Sequence, residues 1–372
     1  AFRNIMEYSH WLANPRLVRA IVEEARKTIP WLQARGVVFT DVVTNIPGAP
    51  QTYHLIADSG EDVVKALSAR AVEKGVTIRT STPVKEILMK SGGIEGLIVE
   101  ENGEEVRVDA RVVHVASGGY ANNAEWIKKY TGLDLNVNLF PVGNEGKMGD
   151  GIRMAHAIGA ASEGIHVIET LRTGRDRPGT MTEIGFAVVQ PDLWVNSRGE
   201  RFCDETVTFD DTSMGNASVK QDKGCGYTIF DTSIVRQLEE RGIDKAMALD
   251  FPPGSRLLNL ARELEEAPTA RADEVYQADS VAALAVLMRV DPPTLQATVD
   301  EYNRYCDRGH DELFAKNPRY LRPIRGPRFY AVRTQTVFLG TMGGIKINEK
   351  MEVADREDRI VPGLYAGGFD AG

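Results

Sequence analysis

The chain has 372 residues, 42% of them apolar and 26% charged, with a formal net charge of −9. That length accommodates two domains with substantial cores, while the acidic balance argues against nucleic acid, whose phosphates need a basic footprint. No apolar run approaches the roughly 18 residues of a membrane-spanning helix, and residues 1–20 carry Arg, Glu and His among the apolar positions, so no secretory h-region is visible. Cys203, Cys225 and Cys306 are few, odd in number and widely spaced, which fits a reducing cytoplasm. Without a CxxC, HxxxH or HExxH pattern, a zinc site has little support.

The chain opens in helix. Asn14 and Pro15 are a cap and a first-turn residue, after which Leu17, Val18, Ile21, Val22 and Ala25 share one face at helical period. Thr28 and Pro30 predict a second short helix that Gly36 ends, and Ser59 precedes a third in which Val63, Val64, Leu67 and Ala71 are expected to form the buried stripe. The period then changes to two. Residues 76–78, 84–88, 94–99 and 106–108 alternate as strands, and Ser91-Gly92-Gly93 and Asn102-Gly103 are hairpin turns, which together predict a small antiparallel meander. The apolar strand 111–116 follows and runs into Ser117-Gly118-Gly119, where backbone N–H groups can approach an anion with no Cβ in the way. A second glycine knot, Gly146 to Gly151, precedes a helix at 152–158. It departs from the P-loop, with Pro141 where the first glycine belongs and Met148 where Ser or Thr belongs.

Beyond Gly164 lies an isolated triplet, Met181-Thr182-Glu183, and then a hairpin over 193–202 that turns at Asn196-Ser197-Arg198-Gly199. Glu200, Arg201, Asp204 and Glu205 crowd ionisable groups beside Trp194 and Phe202, and Arg201 is expected to hold the turn through a carboxylate such as Glu205. Residues 232–241, 257–264, 280–289 and 291–307 read as helices, the last capped by Asp291 with Pro292 at its first position. The proline-rich stretch 318–327 reads as a return linker. Period-two strands resume at 329–337, followed by Gly340-Thr341-Met342-Gly343-Gly344 and by Leu364-Tyr365-Ala366-Gly367-Gly368.

Taken in order, Val115-Ala116-Ser117-Gly118-Gly119 with Gly149-Asp150-Gly151, then Met181-Thr182-Glu183 with Val195-Asn196-x-x-Gly199-x-Arg201-Phe202-x-x-Glu205, then 340–344, then 361–368, resemble the flavoprotein family of fumarate reductases and succinate dehydrogenases, which also includes ketosteroid dehydrogenases. The resemblance implies an α/β fold in which a partial, Rossmann-like FAD-binding domain, at 1–165 and 336–372, is interrupted by an α+β capping domain at 166–335. It implies FAD as cofactor and a small-molecule substrate held between the two. Ser117, Gly118 and Gly119 match the family's turn near the FAD diphosphate, and Asp150 matches a carboxylate that helps hold the cofactor, or else caps the following helix. Gly343, Gly344, Gly367 and Gly368 match segments passing close to the isoalloxazine, or else are ordinary turn glycines.

Two departures shape the expectation. The family's opening strand with its GxGxxG turn, and its closing segment with a substrate-binding arginine, have no counterpart in these 372 residues, which implies weak retention of FAD. The family's proton-donating arginine, tyrosine in ketosteroid dehydrogenases, is matched by Phe209. Its arginine after the Thr-Glu pair is matched by Phe186, and its histidine before Thr-Met-Gly-Gly by Leu339. None of these side chains donates a proton or pairs with a carboxylate, so a C4 dicarboxylate would meet a costly desolvation. The expected pocket is Thr182, Phe186, Phe209 and Leu339, with Glu183 and Asp210 as acid–base candidates. For Glu183 the alternatives are a contact for a cationic or hydroxylated substrate and a surface residue, and for Asp210 and Asp211 the alternative is helix capping. Arg172, Arg175 and Arg177 are replacement cations or a solvated loop. The reading is an FAD-dependent oxidoreductase acting at a C–C/C=C bond; the alternative is a flavoprotein-derived binding or scaffold protein without chemistry.

Overall fold

The computed structural model describes residues 1–43, 53–57, 59–143, 145–174, 182–246, 251–270 and 273–372. Two buried apolar clusters organise it. One draws on Ile184 to Val332 and includes Trp194, Phe230, Leu284 and Tyr302; the other draws on Ile87 to Ala366 and includes Tyr120, Ile152, Phe338 and Leu364.

A single long strand, Phe329–Thr341, joins the two. Its first half pairs antiparallel with Cys225–Asp231 and Val275–Ala278 inside the first cluster. Its second half pairs with Ile168–Gly174 and, in parallel, with Phe140–Pro141. The strand is buried on nearly every residue, so both of its faces are covered, where the period-two reading of 329–337 expects one face open.

Local signals are followed closely where they are strong. The meander forms from Val84–Lys90, Gly93–Glu101 and Glu104–Asp109. Its turns have positive φ at both central residues, 54° and 82° at Ser91-Gly92 and 54° and 83° at Asn102-Gly103, the mirror-image turn that matches strand twist. Asp291 accepts from the Thr294 N–H at 3.0 Å and caps the helix Pro292–Arg308, which buries Leu295, Val299 and Tyr302. The Thr232–Arg241 and Val281–Met288 helices also form at the expected places, while the one expected at 257–264 runs Leu260–Ala270.

Four local expectations are corrected. Thr28 and Pro30 do not open a second helix, because Pro15–Gln33 is continuous and Pro30 lies within its last turn, where the helix forgoes one N–H bond shortly before it ends. Val76 and Ile78 form no strand and lie exposed. The Gly60–Glu73 helix is fixed by its cap, with Asp62 accepting from the Ser59 N–H at 3.1 Å, yet none of its residues is fully buried and Val64 is 64% exposed. The 318–327 stretch is no loose linker, since Arg322 and Ile324 are buried within it.

Candidate functional site

The glycine-rich segments meet in one seam. The parallel strands Val113–Val115 and Ile360–Ala366 end side by side, and the Gly367 N–H donates to the Val115 carbonyl at 3.1 Å. From the first strand the chain enters Ser117-Gly118-Gly119, with φ of +99° and +76° at the glycines. From the second it enters the short turn Gly368–Asp370. The two turns are tied through Asp370. Its carboxylate accepts from Ser117 Oγ at 3.0 Å, from the Gly118 N–H at 2.8 Å and from the Gly119 N–H at 3.3 Å, while the Gly151 N–H donates to Ser117 Oγ at 3.1 Å. Asp370 is fully buried.

The other glycines admit backbone. A Cβ at Gly343 would overlap the Gly164 carbonyl, and one at Gly344 the Asp370 carbonyl. One at Gly119 would overlap Thr341 Oγ1 and lie 2.7 Å from the Phe369 carbonyl oxygen. These three glycines therefore let protein segments touch each other. At Gly368, with φ of +64°, an added Cβ would meet nothing within 4 Å, and at Gly367 it would meet the His114 ring at 3.2 Å. Asp150 is not the cap of its helix. Gly149 holds that position with φ of 84°, and Asp150 begins the helix Asp150–Ala157, where a carboxylate suits the N-terminal dipole. Its side chain is exposed, 3.6 Å from Arg153.

The hairpin at 193–202 turns as expected, with the Asn196 N–H donating to the Glu200 carbonyl and Val195 bridging Arg201. Beneath it lies a buried ion cluster. Arg201 grips Glu205 with two bonds of 2.8 Å and reaches Asp311 at 2.7 Å, while Lys316 lies 3.0 Å from Glu205. Burial alone would push Glu205 up, but Lys316 and Arg201 outweigh it and hold the carboxyl below its ordinary range. Asp311 is lowered in the same way, with the Arg201 hydrogen bond and charge overcoming burial. Lys316 ends raised, because Glu205 outweighs the burial that would lower it.

The remaining candidates are distributed as follows. Thr182 caps the short helix Glu183–Ala187 by accepting from the Gly185 N–H at 3.2 Å. Glu183 accepts from the Asn259 N–H at 2.6 Å and from Asn259 Nδ2 at 3.0 Å, which ties the triplet to the turn before the Leu260–Ala270 helix. Asp210 accepts from the Ser213 N–H at 2.6 Å and caps the helix Asp211–Val219, and Asp211 pairs with Lys245. Phe186 is buried in the first cluster against Phe251, at 4.5 Å between ring centroids. Phe209 lies against Tyr320 at 5.2 Å, and Leu339 is 45% exposed. Arg175, Arg177 and Met181 lie outside the described residues.

Arg172 is not a cation on a solvated loop. It is fully buried, 3.9 Å above the Trp194 ring, donating to the Val188 carbonyl and to Thr228 Oγ1. Burial pushes it down to about 9, against a small opposite effect of Cys203 and Glu205. Two carboxylates escaped the sequence reading. Asp370 is the lone charged residue of the run 364–372, a signal that was available. Glu169, half-buried, has its carboxyl pushed up by burial and then by Asp211 and Asp210, a grouping that no spacing in the sequence reveals.

Glycine-rich turns from the early and late parts of the chain thus meet in one seam, and a separate lobe carries the Ile184 to Val332 cluster. The chain belongs to the FAD binding domain family, whose model matches residues 1–372. It is 29% identical over 380 residues to a vinyl phenol reductase of Lactiplantibacillus plantarum, covering 98% of this chain and 76% of that protein. It is 28% identical over 375 residues to a fumarate reductase (cytochrome) of Shewanella frigidimarina, covering 99% of this chain and 60% of the relative. Against an NADH:fumarate oxidoreductase of Klebsiella pneumoniae the identity is 26%, over 99% of this chain and 37% of the relative. Among solved structures, the open conformation of a flavocytochrome c3 fumarate reductase superposes with a TM-score of 0.73 at 24% identity, over 100% of this chain and 61% of that one. The fold is therefore that of the fumarate-reductase-like flavoproteins, and FAD is the family's cofactor.

The seam fits such a group in part. Glu163, on the strand Ser162–Glu163 beside Gly344–Ile345, has a buried carboxylate oxygen, Oε2, without a hydrogen-bond partner among the described residues. A cofactor bearing ribityl and ribose hydroxyls brings the donors that atom lacks. Gly368 opens to space on the same seam. The Ser117–Gly119 donors, by contrast, are already engaged by Asp370. Among the described residues, no helix is long and apolar enough to cross a membrane, no group of His, Cys, Asp and Glu is placed to hold a metal, and Cys203, Cys225 and Cys306 are unpaired.

Proposed function

We propose that the protein is an FAD-dependent oxidoreductase that transfers a hydride at a C–C/C=C bond of a small molecule less charged than fumarate. In this reading residues 1–165 and 336–372 hold the cofactor, 166–335 form a cap, and the unpaired thiols suit a reducing cytoplasm. The observation that carries it is the meeting of Ser117, Gly151, Gly344 and Asp370 in one seam, contributed by both ends of the chain.

Bound FAD supplies or accepts the hydride. The chain itself supplies an apolar setting for the substrate: Leu339 is exposed, and Phe209 presents a ring braced by Tyr320. Arg172, fixed over Trp194, has no freedom to neutralise a substrate carboxylate. Glu183 and Asp210 are the proposed proton-handling groups. Asp210 Oδ1 is committed to the Ser213 N–H, which leaves Oδ2 for transfer. Glu169, held protonated to higher pH than a free glutamate, stands as its neighbouring proton reserve.

The test is anaerobic. The flavin of the FAD-loaded protein is reduced with dithionite, then mixed with vinyl phenol, the compound in the name of one relative, or with fumarate. Return of the oxidised flavin spectrum is expected with the uncharged alkene at least tenfold faster than with fumarate. Faster reoxidation by fumarate would overturn the substrate class. A protein that takes up no flavin would replace the enzyme with the binding or scaffold alternative.

A further inference from the structure

We propose that the Ser117-Gly118-Gly119 turn is an internal carboxylate receptor, that its ligand is Asp370, and that Asp370 is thereby the residue positioning the Gly367-Gly368 turn at the flavin. The second part rests on the flavoprotein reading above; the first does not.

Two consecutive left-handed glycines turn their N–H groups to the same side of the chain, a concavity suited to an anion. Here that concavity holds both oxygens of one carboxylate. Oδ1 takes the Ser117 hydroxyl and the Gly119 N–H, and Oδ2 takes the Gly118 N–H. The Ser117 oxygen accepts from the Gly151 N–H, which leaves its own proton to be donated to Asp370. All the donors are neutral. Lys147, a cation beside the turn, is directed to Glu145 at 2.5 Å and lies 5.4 Å from the Phe369 ring centre. A carboxylate with no exposure persists in such a place only while its charge-assisted hydrogen bonds stay intact.

The consequence reaches across the seam. The Gly118–Asp370 bond spans 252 residues of sequence. The carbonyl of Asp370 seats against Gly344, and two residues on the Gly372 N–H donates to Ile345. One side chain thus fastens together the turn after Val115, the helix beginning at Asp150 and the turn after Ala366, while its backbone adds the Gly343-Gly344 segment. A cofactor phosphate in the same turn would have to evict a buried carboxylate. The turn accordingly recognises the chain itself, and the diphosphate is held elsewhere.

Asp370→Ala should empty the receptor and leave a carboxylate-shaped vacancy. Thermal unfolding and FAD affinity, by quenching of flavin fluorescence, are measured on the wild type and the variant in sodium formate and in sodium chloride at equal ionic strength. The expected result is a variant that melts lower and binds FAD at least tenfold more weakly in chloride. Formate should recover most of both losses in the variant and change neither in the wild type. A melting temperature that formate does not raise in the variant would overturn the receptor. Formate rescue of melting without rescue of FAD affinity would overturn the positioning role. Tighter FAD binding by the variant, with inorganic pyrophosphate competing, would make the turn a phosphate site that Asp370 merely shields. Should the alanine variant fail to fold, Ser117→Ala removes one donor and is expected to weaken FAD binding two- to fivefold, and an unchanged affinity would count against the proposal. If the wild type takes up no FAD, the proposed function fails while the formate effect on melting still decides the receptor.

Discussion

Glu205 in the lobe of the Ile184 to Val332 cluster and Asp370 in the seam are both carboxylates with no exposure, and they differ in what chiefly holds them. Glu205 is gripped chiefly by two cations, Arg201 and Lys316, inside a cluster that also takes in Asp311, and it accepts one backbone N–H, that of Trp194, at 3.2 Å. Asp370 is gripped by a hydroxyl and two backbone N–H groups. Ion pairs of the first kind need only charge and rough proximity, so many arrangements satisfy them. Backbone donors reaching both oxygens fix the orientation of a carboxylate closely, and at Asp370 they come from two glycines of positive φ. The lobe is therefore stapled by charge and the seam by shape.

The largest effect should come from breaking the staple in the lobe. Arg201→Met leaves Glu205 and Asp311 buried with one cation fewer, which should cost about 3–5 kcal/mol in urea unfolding. The same pair sets an acid limit. Both folded carboxyls sit below their ordinary range, so their contribution is present above the ordinary carboxylate pKa of about 4 and is lost as the pH falls through the lowered values. Wild-type stability should fall steeply there, and the Arg201→Met protein should fall less. An equal acid slope in both would mean that the cluster does not dominate acid unfolding.

The seam should fail by shape. Gly343→Ala introduces a methyl group where the Gly164 carbonyl already lies, and backbone on both sides must move, at about 1–3 kcal/mol. Gly367→Ala meets only the His114 ring at 3.2 Å, a side chain that can turn aside, so it should cost less than half as much. Flavin affinity is expected to follow the same order. If both substitutions were equally mild, close backbone contact would not be what the Gly343 position requires.

The sequence disclosed the elements whose causes are local. Asn102-Gly103 fixes its turn through its own backbone preference, and Asp291-Pro292 opens its helix through the next three residues. The bidentate hold of Arg201 on Glu205 was legible because the partners are four residues apart. Pro30 misled, since a proline that usually opens a helix here lies inside the last turn of the preceding one. What stayed hidden depends on distant partners. The receptor for Asp370 lies some 250 residues away, and Glu169 is perturbed by carboxylates at 210 and 211 that no periodicity connects to it. Glycines read as cofactor contacts at 343 and 344 face the chain itself, because the absence of a Cβ looks the same in sequence whichever neighbour requires it.

The smallest effect should come from another buried arginine of the lobe, Arg172, and it sharpens the contrast most. Arg172 resembles Arg201 in being a buried guanidinium, but among the described residues it has no carboxylate partner and its Nε has no hydrogen-bond partner. Removing it orphans little. The Val188 carbonyl still accepts from Thr228 Oγ1 at 2.7 Å, and a methionine of similar length keeps contact with the Trp194 ring. With a folded pKa lowered to about 9 by burial, the charged form of Arg172 weighs against folding at every pH below that value, so its loss removes a penalty along with two hydrogen bonds and the contact with the ring. Arg172→Met should change stability by no more than about 1 kcal/mol in either direction, measured in urea beside Arg201→Met. A loss as large as that of Arg201→Met would mean that burial of the guanidinium, rather than the carboxylates it leaves behind, sets the cost of removing it.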